Sequence, residues 1–296
     1  MTHIQTDLQA AEVGFLEMIK TSGDFKYGVN SGVMVKIPYL YHSIPEFGIQ
    51  LVEDRVNSQL LKMFLLSPPS EPHVQEKITS IGEAIGQWLE IFHAWGRGHI
   101  DEDLMEKLRR NEDLHCKDAN PLYESVVNQC DDEILRQAVF MTLNKNDRRV
   151  QGVIHGDFSP RNILIQYNNL PTGTELTVID WETITYENQL HDFANMMGII
   201  YIQHCLSGGP SFKTLLQGFV RGYRKLSADL IADALILTGV WILFFRQIIF
   251  GVEISDRPRS QEHENLKKLA VDVISKGMKE GFGSIEDAFL GPLSSV

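Results

Sequence analysis

Cysteine is scarce in this 296-residue chain: three residues, Cys116, Cys130 and Cys205, are scattered with no Cys-x-x-Cys spacing. That excludes a disulfide framework or a thiolate metal cluster and fits a reducing compartment. Basic charge is also short, with 27 Lys and Arg against 39 Asp and Glu for a net charge of −12. A nucleic-acid-binding face needs a basic patch, so nucleic acid is not an expected partner. The acid surplus serves solubility first; its functional reading is a pocket for a cationic acceptor such as an amine. Between Met1 and Ala10 the chain has no apolar stretch or basic start of the secretory kind. The most apolar run, Ala234 to Phe245, is short for a bilayer and is flanked by Asp233 and Arg246. It reads as a buried helix, with no membrane partner. The expected location is cytoplasmic. Internal repeats and low-complexity tracts are lacking too.

Apolar residues make up 43% and charged residues 22%, the composition of a soluble globular chain long enough for a sizeable core. Apolar spacing predicts a helix over Thr6 to Ile19, ended by Gly23, and a short one over Leu60 to Leu66, closed by Pro68-Pro69. The clearest amphipathic helix runs from Ile78 to Trp95, with Ile81, Ile85, Trp88, Leu89 and Phe92 on one face. Between the first two helices, Val33 to Tyr41 and Ile49 to Val52 read as a hairpin around Ser43 to Gly48. Two or three strands at most are expected before Ile78, with no five-stranded sheet. Further helices are expected over Asp101 to Arg110 and Asp131 to Leu143, with a loop through His115 to Pro121 between them. Short apolar strands follow at Val150 to His155, Ile163 to Gln166 and Leu176 to Ile179. From Leu190 to Lys279 the pattern is helical again, broken near Gly208-Gly209-Pro210, Ser227 and Gly251, with Ala234 to Phe245 expected as its most buried helix.

Chemistry concentrates in His155-Gly156-Asp157-Phe158-Ser159-Pro160-Arg161-Asn162, followed after a loop by Val178-Ile179-Asp180-Trp181-Glu182. Phosphoryl transfer needs a carboxylate to receive or orient the acceptor hydroxyl and oxygen ligands to hold Mg²⁺ on the nucleotide phosphates. An Asp followed five residues later by an Asn puts a base and a ligand on one loop, and a strand pair brings a second carboxylate to them. Each fragment alone is a common turn. In this order, between apolar strands, the combination is specific.

These residues resemble the aminoglycoside phosphotransferase and choline kinase group, a branch of the protein-kinase-like fold, from about Val33 to about Tyr223. Ile85 to Trp95 and Val178 to Glu182 look most similar to fungal members of that group. The resemblance implies an α+β fold with a reduced N-terminal lobe (1–58, helix plus short hairpin and hinge) and a large, mainly helical C-terminal lobe (59–296) carrying the catalytic loop. It implies Asp157 as catalytic base, His155 as the residue orienting the loop, and Asn162 and Asp180 as Mg²⁺ ligands. Glu182 would be a second-metal or phosphate-side carboxylate, and Asp192 either a brace for the catalytic loop or a helix-start carboxylate. Val52-Glu53-Asp54 would form the hinge that receives the adenine of ATP.

The pattern departs in the N-terminal lobe, where such folds carry a Gly-rich hairpin over the phosphates, a strand Lys, and a helix Glu pairing with it. Lys36 lies too close to Ile78 for that Lys; it is expected on the first hairpin strand, turned from the metal site. The better register makes Thr6 to Ile19 the Glu helix, with Glu12 or Glu17 in the Glu position. The Gly-rich hairpin and strand Lys would then fall before Met1. Lys20, Lys26, Lys36 or Arg161 are candidates to replace the Lys. Two readings stay open. One is a Mg²⁺-dependent phosphotransferase acting on a hydroxyl of a small molecule. The other is a repurposed kinase fold: an acid–base lyase, cyclase or isomerase of secondary metabolism, or a binding protein.

Overall fold

The computed structural model describes residues 3–22, 27–28, 32–44, 47, 49–111, 126–127, 129–167, 173–224, 226–250, 261–279, 282 and 284–290. The expectations on Gly23, Lys26, Gly48, Cys116, the loop 115–121 and Gly251 lie outside these residues.

Helix α1 (His3–Ser22) leads to β1 (Tyr27–Gly28), β2 (Val33–Lys36) and the hairpin β3 (Leu40–Ile44) and β4 (Ile49–Val52). Strand β5 (Gln59–Leu60), α2 (Leu61–Leu66) and α3 (Val74–Gly96) follow, then α4 (102–111) and α5 (Glu133–Leu143). The chemistry-bearing segment is β6 (Gln151–Ile154), β7 (Ile163–Gln166), β8 (Thr174–Val178), a 3-10 turn (Trp181–Thr183) and β9 (Thr185–Asn188). Helices α6 (Leu190–Ser207), α7 (Pro210–Gly222), α8 (Ala228–Phe250), α9 (Gln261–Gly277) and α10 (Ile285–Leu290) complete the order.

Two expectations about the strands are corrected. Among the described residues five strands precede α3, and a five-stranded sheet exists, in the order β1-β2-β8-β7-β5. Strands of two residues, such as β1 and β5, are too short to show alternation in a sequence. The sheet also draws two members from the later strands of the chain: β2 runs parallel to β8, and β5 pairs antiparallel with β7. The hairpin is β3–β4 alone, so Val33 to Lys36 is a separate strand and Lys36 is not on the hairpin.

Helix α3 owes its place to two kinds of residue. Ile78, Ile81, Ile85, Trp88, Leu89 and Phe92 recur at helical spacing and are all buried. On its other contact face, Gly82 and Gly86 meet Gly218 and Gly222 of α7. A Cβ at Gly82 would come within 2.3 Å of the Leu215 carbonyl oxygen, and one at Gly218 within 2.1 Å of that of Thr79. Glycine at i and i+4 on both helices lets the two backbones touch.

Helix α8 extends well beyond Ala234 to Phe245. Its window Ala228–Ile249 is long and apolar enough to cross a membrane by length and composition, and 67% of that window is buried inside the protein. Yet α6 exceeds it: every residue from Leu190 to Ile202 is buried, whereas Trp241 and Phe244 of α8 are only partly so. The most buried helix is therefore α6, packed between α7 and α8. Its mixed apolar and polar letters, His191, Asp192 and Asn195 among them, hide that burial in the sequence.

Candidate active site

The residues 155–162 link β6 to β7, and 179–184 link β8 to β9. Because β6 pairs with β9 (Ile154 opposite Thr185) and β7 with β8 (Ile163 opposite Val178), the two links lie side by side. The Ile179 N–H donates to the Asn162 carbonyl at 2.9 Å, which sets Asp180 beside the Asn162 end of the loop. Apolar strand residues on both sides anchor the links: Val153, Ile163, Leu176 and Val178 are all fully buried.

The loop is held by a closed set of hydrogen bonds. Asp192, fully buried in the first turn of α6, accepts from the backbone N–H of His155 (2.8 Å) and of Gly156 (2.9 Å). Its Oδ2 also meets His93 Nε2 of α3 at 3.2 Å, and His93 Nδ1 meets the Tyr223 hydroxyl at 2.9 Å. Burial holds the His93 imidazole below its ordinary pKa despite the Asp192 carboxylate beside it. The buried His155 ring reaches the Ile179 carbonyl through Nε2 at 2.9 Å and accepts the Asp157 N–H on Nδ1 at 3.3 Å. Those two contacts together require the ring proton on Nε2. Gly156 has φ +86°, and a Cβ there would meet the Thr183 carbonyl oxygen at 2.3 Å, so the turn excludes side chains. Under the loop lies an aromatic layer: Trp88 stacks on Phe92 and Phe158, and Trp181 contacts His155 and Phe15 of α1 with ring centroids 4.5 Å apart in each case.

Asp157, the candidate base, projects from this frame with a side chain one-third exposed (33%). Asn162 Nδ2 donates to its Oδ2 at 2.9 Å; Asn195 Nδ2 of α6 (3.2 Å) and the Arg161 guanidinium (3.4 Å) reach Oδ1. Arg161 itself rests over the Phe245 ring of α8, 5.1 Å from its centroid. Since the Asn162 amide nitrogen is turned to Asp157, its carbonyl oxygen is the atom left for a metal. Asp180 is exposed and adopts a left-handed φ of 68°, rare for a residue with a side chain. Glu182, also exposed, stands two residues on. An amide oxygen and carboxylates form the hard oxygen set that suits Mg²⁺, so the residues fit that ion.

On the N-terminal side, the structure places Glu12, not Glu17, against this turn. Glu12 accepts from Gln50 of β4 at 3.0 Å, while Glu17 meets the Ser43 hydroxyl. Burial, with the Asp180 and Glu182 carboxylates nearby, pushes the Glu12 carboxyl above the ordinary range against the Gln50 hydrogen bond. Lys36 does not reach this centre; it bridges Glu53 (3.4 Å) and Glu175 (3.3 Å). Arg55 pairs with the same two carboxylates, closing a square that ties β2 and β8 to the segment after β4. Within the hinge candidate Val52-Glu53-Asp54, the Glu53 N–H is already given to the Tyr39 carbonyl at 2.8 Å.

The profile of the phosphotransferase enzyme family matches residues 65–229, a span holding the 155–162 loop, the Asp180 turn and α6. The chain belongs to that family. Phosphotransferase FrzJ from Cladobotryum sp is 24% identical over 276 residues, covering 88% of this chain and 70% of that protein. Among solved structures, the amicoumacin kinase hAmiN matches with a TM-score of 0.50 at 12% identity, over 92% of this chain and 78% of the other. The choline kinase LicA from Streptococcus pneumoniae matches at 0.44 with 17% identity, over 93% and 84%. The fold is the kinase-like α+β fold of this phosphotransferase family, and the protein is a small-molecule phosphotransferase. No support emerges for the alternative of a repurposed, non-phosphorylating fold.

Of the residues expected from sequence, Asp157 and Asn162 are hydrogen-bonded to each other, Asp180 follows the Ile179 N–H that is bonded to Asn162, and His155 and Asp192 hold the loop. Sequence reasoning missed His93, Asn195 and Tyr223. The usable signal for Asn195 was its spacing, three residues after Asp192 and so on the same helix face. His93 and Tyr223 carry no signal beyond an apolar neighbourhood.

Proposed function

We propose that the protein moves the γ-phosphoryl group of ATP to a hydroxyl of a small molecule, with Asp157 as catalytic base and Asn162 and Asp180 as the Mg²⁺ ligands. The observation that supports this reading is the pairing of β7 with β8, which brings the links carrying Asn162 and Asp180 side by side next to Asp157, a carboxylate one-third exposed. Asp157 Oδ1 and Oδ2 are oriented by amide donors, so the carboxylate can take the acceptor proton without first reorganising. Mg²⁺, when bound, supplies neutralisation of phosphate charge. Glu182 is the second carboxylate on that side. The hAmiN structure, solved in complex with AMP-PNP and Ca²⁺, supports nucleotide and divalent-metal use by analogy of fold.

Arg161 is the cation that replaces the strand Lys. Of the other candidates, Lys36 is committed to Glu53 and Glu175, and Lys20 donates to the Tyr41 carbonyl. Arg161 stands beside Asp157 with a side chain 38% exposed, where it can meet phosphoryl charge. The nucleobase would sit against Val52 to Asp54, with residues 1–58 and 59–296 as the two lobes. A cytoplasmic location and a secondary-metabolite acceptor complete the reading. Calorimetry with Mg²⁺ and ATP, followed by phosphorylation of a panel of hydroxylated small molecules, tests it. Absence of any nucleotide binding at millimolar concentration would sink it.

A further inference from the structure

Two polar side chains are fully enclosed in the first turns of α6, Asp192 and Asn195. Three residues apart, they share a face of the helix. Asp192 is satisfied by the His155 and Gly156 N–H groups and by His93. Asn195 is different. Its Nδ2 donates to Asp157 Oδ1 at 3.2 Å, and its Oδ1 has no hydrogen-bond partner among the described residues. Phe193, Ala194, Met196 and Met197 around it in the chain are apolar and fully buried. A buried amide with one end unsatisfied is a net burden on the fold, which an apolar side chain of like size would remove.

What the amide does supply is direction. Turned over, it would set Oδ1 against the Asp157 carboxylate, so the two groups fix each other's orientation. With Asn162 Nδ2 on Oδ2 and Asn195 Nδ2 on Oδ1, the carboxylate is gripped at both oxygens and cannot rotate about its Cβ–Cγ bond. We propose that Asn195 is a positioning residue for the reaction: it holds Asp157 at the angle from which it accepts the acceptor's proton, without itself touching substrate. The proposal rests on the reading of Asp157 as base.

The stability and activity of Asn195→Leu should part company. The melting temperature is expected to stay level or rise. Affinity for Mg²⁺ with AMP-PNP, by calorimetry, should remain within about twofold, while turnover of Mg²⁺–ATP, read as ADP release with and without acceptor, should fall about 10–10²-fold. Asn195→Val serves as the second variant; a lower melting temperature in both would mark a merely structural amide and overturn the proposal. So would turnover within twofold of wild type. Independently of activity, the ¹⁵N side-chain amide signals of Asn195, assigned by their loss in Asn195→Leu, should move in Asp157→Ala. Signals unmoved by that change would show that the pair does not exist in solution. Failure of wild type to bind AMP-PNP would instead remove the phosphotransfer reading and leave the amide signals to decide the pairing.

Discussion

In and against the 155–162 loop, His155 uses both ring nitrogens, Asp192 of α6 both carboxylate oxygens and Asn162 its amide donor. On and beside the β3–β4 hairpin, Tyr41, Phe47, Ile49 and Leu51 turn apolar side chains to solvent, more than half exposed in every case. The first region has its geometry settled before any ligand arrives, which is what preorganised proton transfer and metal binding require. The second offers surface with few committed polar groups. The 155–162 loop is therefore over-determined by packing, and the segment after β4 is tied to β2 and β8 by the Lys36–Glu53–Arg55–Glu175 square.

That contrast predicts a graded response to substitution. Asp157→Asn should lower turnover by about 10²–10⁴-fold, measured against wild type under the same Mg²⁺ and nucleotide. It should also cost about 1–2 kcal/mol of stability, because the new NH₂ must face the Asn162 or the Asn195 donor; urea titration reads that term. Arg161→Gln is expected next, with a turnover loss of about 10²-fold from missing charge stabilisation. Lys36→Gln, in the square, should leave turnover per folded molecule nearly unchanged. Equal losses for the two would erase the distinction between the regions.

Stability sharpens the same comparison. Gly156→Ala, forced against the Thr183 carbonyl at a positive φ, should lose about 1–3 kcal/mol in urea unfolding. Leu51→Ser on the exposed hairpin should stay within about 0.5 kcal/mol. The smallest effect is in pH. Hydrogen bonding to Arg55 holds the Glu175 carboxyl below its ordinary range; for Glu53, burial acts the other way but the Tyr39 N–H, Arg55 and Lys36 prevail. Both groups thus contribute stability that is present above the usual carboxylate pKa, about 4.3, and lost as pH falls through the lowered values. The urea midpoint of wild type should drop more steeply below about pH 4.3 than that of Glu175→Gln.

The sequence displays the candidate catalytic segment well, because its residue types fall in a tight order: His155, Asp157 and Asn162 share one loop and Asp180 the neighbouring link, and α3 is read from its apolar period. The N-terminal part is less legible. Strands β1 and β5 are two residues long, and β2 pairs with β8 from far along the chain, a contact no local pattern encodes. Gly82, Gly86, Gly218 and Gly222 look like ordinary helix-weakening residues until the two helices are seen to touch through them. Asp192 is ambiguous in sequence because a helix-start carboxylate and a loop brace look alike; in the structure it is fully buried at the start of α6 and accepts two backbone N–H donors of the loop.

Transfer of the γ-phosphate from ATP to an acceptor, followed across Mg²⁺ concentration in wild type and Asp180→Asn, tests the central claim most directly. The account predicts transfer that EDTA abolishes, and in Asp180→Asn a loss of about 10²-fold or more that added Mg²⁺ partly restores. Transfer that survives EDTA, or that Asp180→Asn leaves undiminished, would contradict it.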